Sequence, residues 1–177
     1  MSRIFILSLI SLASVMAQTK YELIDSERLG DREIKIQLPR SYKLNNEAFY
    51  PLIVILDGDY LFETIAGTVD YMAYWDDMPE AILVGINQDR TRSEDLYLSD
   101  EDHFPIRSGA KFYEFLGAEL VPYMIDNYRV GKFKVAVGHG ESANFINFLS
   151  FVKNPLFQAY ICLLYTSDAA GDETSVD

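Results

Sequence analysis

Val135-Ala136-Val137-Gly138-His139-Gly140-Glu141-Ser142-Ala143 is the stretch on which the reading of this chain turns. Phe133-Lys134-Val135-Ala136-Val137 has the apolar, β-branched make-up of a short buried strand. Gly138-His139-Gly140 ends it with a glycine-flanked bend. Phe145, Phe148, Leu149 and Val152 then recur at the spacing of one helix face. A strand, a sharp turn and a helix in immediate succession form the geometry of a nucleophile elbow. Small residues let the chain turn tightly, and the first helical N–H groups point toward developing negative charge.

Working outward from the bend, the same alternation repeats. Glu33 to Leu38 alternates charged and apolar residues, as a half-buried strand does, and stops at Pro39. Leu52 to Leu56 is a continuous apolar run fit for a central parallel strand, ended by the turn residues Asp57-Gly58-Asp59. Leu61, Ile65, Val69 and Met72 predict a helix up to Tyr74, and Ala81 to Ile86 a second buried strand. Asn87 to Arg107 is a long polar loop, a kind that commonly borders a site. Ala110 to Tyr128 carries a helical stripe with Pro122 inside it, predicting a kink or a restart of the helix there. Phe157 to Leu164 begins a further strand. Strands alternating with helices predict an α/β fold: a mostly parallel sheet, right-handed crossovers, helices on both faces.

The chain has 177 residues, a length that suits one domain, and a formal net charge of −12. That sign repels phosphate, and no Lys/Arg cluster interrupts it, so nucleic acid is not an expected partner. One cysteine, Cys162, permits no internal disulfide, and Cys/His metal clusters are absent from the sequence; no metal or cofactor is expected. Residues 1–17 have the pattern of a signal peptide: Arg3, an apolar run from Ile4 to Met16, and Val15-Met16-Ala17 before Gln18. The run is shorter than the roughly 20 residues that span a bilayer. An exported protein, periplasmic or extracellular and without a membrane anchor after cleavage, is the expectation.

Several short motifs occur in a telling order: Leu38-Pro39 with Tyr42, Leu56-Asp57-Gly58 with Leu61-Phe62, Val84-Gly85-Ile86 with Arg90, Phe115-Leu116 through Glu119-Leu120, Pro122 and Tyr128, then Gly138-His139 and Pro155-Leu156-Phe157. In this order they resemble the Putative esterase family of α/β-hydrolases, whose members are esterase-D-like and enterochelin-esterase-like. The resemblance covers about residues 30 to 161. It implies an α/β-hydrolase fold and hydrolysis of small-molecule carboxylic esters by a serine nucleophile.

The family writes its elbow Gly-His-Ser-x-Gly-Gly. Aligned on Gly138-His139, the nucleophile position falls on Gly140, and Glu141 would lend its backbone N–H to the oxyanion hole. A two-residue shift makes Ser142 the nucleophile instead, without the closing glycine and already inside the helix. The plain structural role for Ser142 is to cap the helix start. The resemblance also implies that Gly58 and Asp59 line the oxyanion hole across a cleft from residues 138–142, that Arg90 borders the substrate, and that His139 is structural. His103 precedes the nucleophile, whereas the family's order is serine, acid, histidine.

By that order the acid and base would follow Ile161. Cys162 to Glu173 reads like the translation of a sequencing adapter, so residues 162–177 are expected to be non-native; a natural acidic tail is the alternative. Residues 18–161 would then be the N-terminal part of the hydrolase domain, incomplete at the C-terminus. Two readings stay open: a carboxylic-ester hydrolase whose present chain is inactive because the triad acid and base are missing, and a non-catalytic binding protein with Gly140 at the nucleophile position.

Overall fold

The computed structural model describes residues 19–99, 101 and 104–164. The signal-peptide reading, His103 and most of the proposed non-native tail lie outside the described residues. Two antiparallel strands come first, β1 (Thr19–Ser26) and β2 (Gly30–Gln37), followed by a 3-10 turn (Arg40–Lys43). Then come β3 (Tyr50–Ile55), α1 (Phe62–Tyr74), β4 (Ile82–Ile86) and the single turn α2 (Arg92–Asp95). A long helix follows in three parts: α3 (Ser108–Phe115), a π turn (Leu116–Leu120) and α4 (Val121–Asn127). β5 (Val130–His139), α5 (Glu141–Ser150) and β6 (Ala159–Leu163) complete the described elements.

The six strands form one sheet in the order β1-β2-β4-β3-β5-β6. β4, β3, β5 and β6 are mutually parallel, and the β1–β2 hairpin joins them antiparallel through β2 against β4. The α/β expectation holds: a mixed, mostly parallel sheet with helices on both faces. Alternation along the strands sorts the core into two layers. Ile53, Ile55, Leu83, Val135 and Val137 face α1, where Phe62, Ala66 and Val69 close over them. Leu52, Val54, Ile82, Val84, Ile86 and Ala136 face the other way, onto Phe112, Phe115, Leu120, Met124, Phe145 and Leu149.

The structure departs from the sequence reading at β1 and at the start of the bend. The β1 strand was not anticipated. β5 starts at Val130 and runs through Gly138-His139, so the bend begins at Gly140 and not at Gly138. Around Pro122 the helix restarts, as expected: α4 begins at Val121 with Pro122 in its first turn. Proline lacks the N–H that an α-helical turn requires, and the π turn just before it is where the hydrogen-bond pattern changes. β6 crosses from Ile161 into Cys162 and Leu163, pairing Cys162 with Gly138 and Leu163 with His139. No helix among the described residues is long and apolar enough to cross a membrane.

Candidate functional site

The crossovers on either side of β3 bring the C-terminal ends of β3, β4 and β5 to one rim of the sheet. Leu56 N–H donates to the Val137 carbonyl (2.9 Å), so the turn after β3 and the bend after β5 leave the sheet side by side. The expected juxtaposition of residues 57–59 and 138–142 is present. Gly138 can lie here only because it has no side chain: a Cβ would sit 2.7 Å from Ser142 backbone atoms. Gly58 is packed as tightly, with a Cβ position 2.6 Å from the Ile86 nitrogen.

Gly140 is the hinge of the bend. Its φ of 59° and ψ of −118° belong to the strained left-handed region that a nucleophile elbow imposes. A Cβ built on it would meet no heavy atom within 4 Å, so the space where a nucleophile's side chain would stand is open. The backbone therefore agrees with the alignment that puts the nucleophile position on Gly140.

Ser142 is turned the other way. Its side chain is fully buried, its Oγ accepts from the His139 N–H (2.7 Å), and its hydroxyl donates to the His139 carbonyl (3.1 Å). In this arrangement it ties the helix start to the strand end and does not cap the helix, which has no side-chain cap hydrogen bond. Glu141 is the first residue of α5, so its N–H has no acceptor within the helix. Gly58 does not join it: its N–H is spent on the Ile86 carbonyl at 2.8 Å. Asp59 anchors the loop instead through its carboxylate, which accepts from the Gln88 N–H at 3.2 Å.

Arg90 is not at the bend. Its side chain is 91% exposed, its Nε lies 3.8 Å from the Asp89 carboxylate, and it lines a polar groove of about 510 Å³ with Asp31, Arg32, Lys35, Asp59 and Asn87. Arg92, two residues on, does reach the bend. Its Nε donates to Asp57 Oδ1 (2.7 Å) and its Nη2 to Asp57 Oδ2 (3.3 Å) and to the His139 carbonyl (3.3 Å); Nη1 donates to the Glu141 carboxylate. Asp57 is wholly buried, with a positive φ of 54°. Its hydrogen bonds hold the Arg92 guanidinium above its ordinary pKa. Tyr60 completes the ring, its hydroxyl 3.3 Å from Asp57 Oδ2 and 2.9 Å from His139 Nδ1. Burial, followed by the Asp57 charge, pushes the Tyr60 phenol up.

A second buried group supports the first. Gln88 Oε1 accepts from the Asp57 N–H (2.9 Å), and its Nε2 donates to Asp95 (3.2 Å), which also holds Arg32 Nη2 at 2.9 Å and the Thr91 hydroxyl at 2.8 Å. Burial raises the Asp95 carboxyl against the pull of these donors. The long polar loop thus borders the bend as expected, but through Gln88, Arg92 and Asp95. One signal in the sequence pointed there. Thr91-x-x-Glu94 has the spacing of a helix start. A single turn from Arg92 puts Arg92 and Asp95 on the inner side and leaves Arg90 ahead of it in solvent.

Comparison with solved structures places the whole arrangement among known folds. An uncharacterised protein from Capnocytophaga ochracea is similar over 79% of this chain and 38% of its own, with 32% identity and a TM-score of 0.73. An IroE-like serine hydrolase from Shewanella oneidensis is 26% identical over 81% of this chain and 49% of its own, with a TM-score of 0.67. The ferric enterobactin esterase of Salmonella typhimurium, at 20% identity and a TM-score of 0.66, shares the fold over 82% of this chain and 36% of its own. This chain therefore spans half or less of the length of each of these three. A comparison with curated proteins finds no match. The sequence profile of the Putative esterase family matches residues 26–144, which include both halves of the bend, and the chain belongs to that family.

Proposed function

We propose that this chain is an ester-recognising scaffold of the carboxylic-ester-hydrolase type that does not itself turn esters over. The single observation behind this reading is Gly140: the residue with the nucleophile's backbone angles has no side chain. The Glu141 N–H at the helix start, and the open space a Cβ on Gly140 would enter, support recognition of a small ester carbonyl at the bend. A serine would need a base to take its proton, help typically worth about 10²–10⁴-fold. His139, the one histidine among the described residues, directs its Nδ1 to Tyr60.

The family's own chemistry, hydrolysis through a serine, would here fall to Ser142. Its hydroxyl would first have to leave both His139 backbone partners. The test is hydrolysis of a short-chain nitrophenyl ester, together with labelling by a fluorophosphonate. Neither turnover nor labelling is expected. Turnover or labelling that disappears in Ser142→Ala would overturn the proposal in favour of a working esterase.

A further inference from the structure

We infer that the bend is a carboxylate-binding site built on Arg92, and that the Glu141 side chain is its resident stand-in. The inference rests on the ester-recognition reading and names the ligand class: a short carboxylic acid, the acyl product of an ester, in its ionised form. Arg92 touches the residue on each side of Gly140, the His139 carbonyl by Nη2 and the Glu141 carboxylate by Nη1. A Cβ on Gly140, the residue between these two in the chain, would meet no heavy atom within 4 Å.

Asp57 fixes the other edge of the guanidinium in a two-point grip, so the cation is aimed before any ligand arrives. Its position is further fixed from below by Gln88 on the Asp57 N–H. Glu141, by contrast, is an exposed side chain held at that end by one contact. The guanidinium therefore already carries one fixed, buried carboxylate and one exchangeable, exposed one. A ligand carboxylate that takes the place of Glu141 leaves the charge count of the site unchanged, and its alkyl chain has the space that a nucleophile's side chain would fill.

The experiment titrates the full chain at pH 7 with sodium butyrate and, separately, with methyl butyrate, following the amide resonances of Gly140, Glu141 and Ser142. Butyrate is expected to shift them saturably. Glu141→Gln is expected to tighten butyrate about two- to fivefold, the worth of an exposed ion pair the ligand no longer displaces. Arg92→Lys keeps the charge but loses the two-point grip and is expected to weaken butyrate severalfold, with folding checked by circular dichroism. Glu141 lies at the surface, so its variant tests the idea even if Arg92→Lys fails to fold. Methyl butyrate binding without butyrate binding overturns this inference and leaves the ester-recognition reading intact. Binding of neither overturns both. Butyrate binding that Glu141→Gln weakens or leaves unchanged overturns the stand-in role.

Discussion

Gly140 and Gly138 occupy the same bend for opposite reasons, and substitutions separate them. Gly140 is needed for its dihedral angles, Gly138 for its missing volume. Gly140→Ser should fold, at a cost of about 1–3 kcal/mol for a side chain in a sparsely populated backbone region. Gly138→Ala forces a methyl group onto Ser142 backbone atoms that cannot turn aside, and should cost about 3 kcal/mol, at the upper end of overpacking penalties. Urea unfolding of the two variants checks the order. Arg92→Met should be as damaging, about 3 kcal/mol, because it strands the buried Asp57 carboxylate; adding Asp57→Asn should recover part of the loss, and equal loss in single and double variants would contradict the pairing. At this scale the sequence was informative about backbone and poor about side chains. The glycine-rich bend and Asp57-Gly58 announce themselves through chain geometry. Whether Arg90 or Arg92 enters the site depends on the phase of a four-residue helix, which no periodicity longer than one turn can reveal.

Elements were legible wherever one layer of the core dictated the pattern. β3 and β4 follow directly from runs of apolar residues, because each is buried on both faces; α1 was legible as a helix, but its buried face is Phe62, Ala66 and Val69, so the stripe Leu61, Ile65, Val69 and Met72 lies beside it and leaves Met72 exposed. β1 escaped because its pattern is inverted. Tyr21 and Leu23 point to solvent, while Glu22 points inward and accepts from the Tyr123 hydroxyl (2.7 Å) and the Tyr128 hydroxyl (2.9 Å). Here hydrogen bonding replaced hydrophobic alternation as the determinant of register. The exchange has a pH signature. Burial alone would raise the Glu22 carboxyl, but hydrogen bonds from Lys20, Tyr123 and Tyr128 bring it below the ordinary range. A carboxyl depressed in the folded state adds stability above its unfolded pKa, about 4.3, and loses it as pH falls through the lower folded value. Glu22→Gln should therefore flatten the acid limb of a stability–pH curve by up to about 1 kcal/mol, with no added slope between pH 6 and 8. On the alkaline side the Tyr123 phenol, held up chiefly by the same carboxylate, should ionise at about 12 in an ultraviolet titration and return toward 10 in the variant.

At the scale of the whole molecule the sheet has two unlike edges, and the difference sets where the chain should self-associate. β1 closes one side, and its inward Glu22 is committed to the long helix by Tyr123 and Tyr128. β6 forms the other edge among the described strands. It pairs only with β5 and leaves Ile161, Leu163 and Leu164 exposed. A flat edge with unpaired backbone groups and apolar side chains is a template for another strand, whereas charge on an edge opposes such pairing. The site contributes to the contrast: the Gly140 N–H is bonded to the Leu163 carbonyl at 3.0 Å, so the bend itself holds the end of β6 in extended form. The chain should accordingly associate through β6, in a concentration-dependent way visible by size exclusion with light scattering. Ile161→Lys should shift the population toward monomer, and Tyr21→Lys on the opposite edge should not. Association that both substitutions relieve equally would mean that general surface hydrophobicity, and not the β6 edge, drives it.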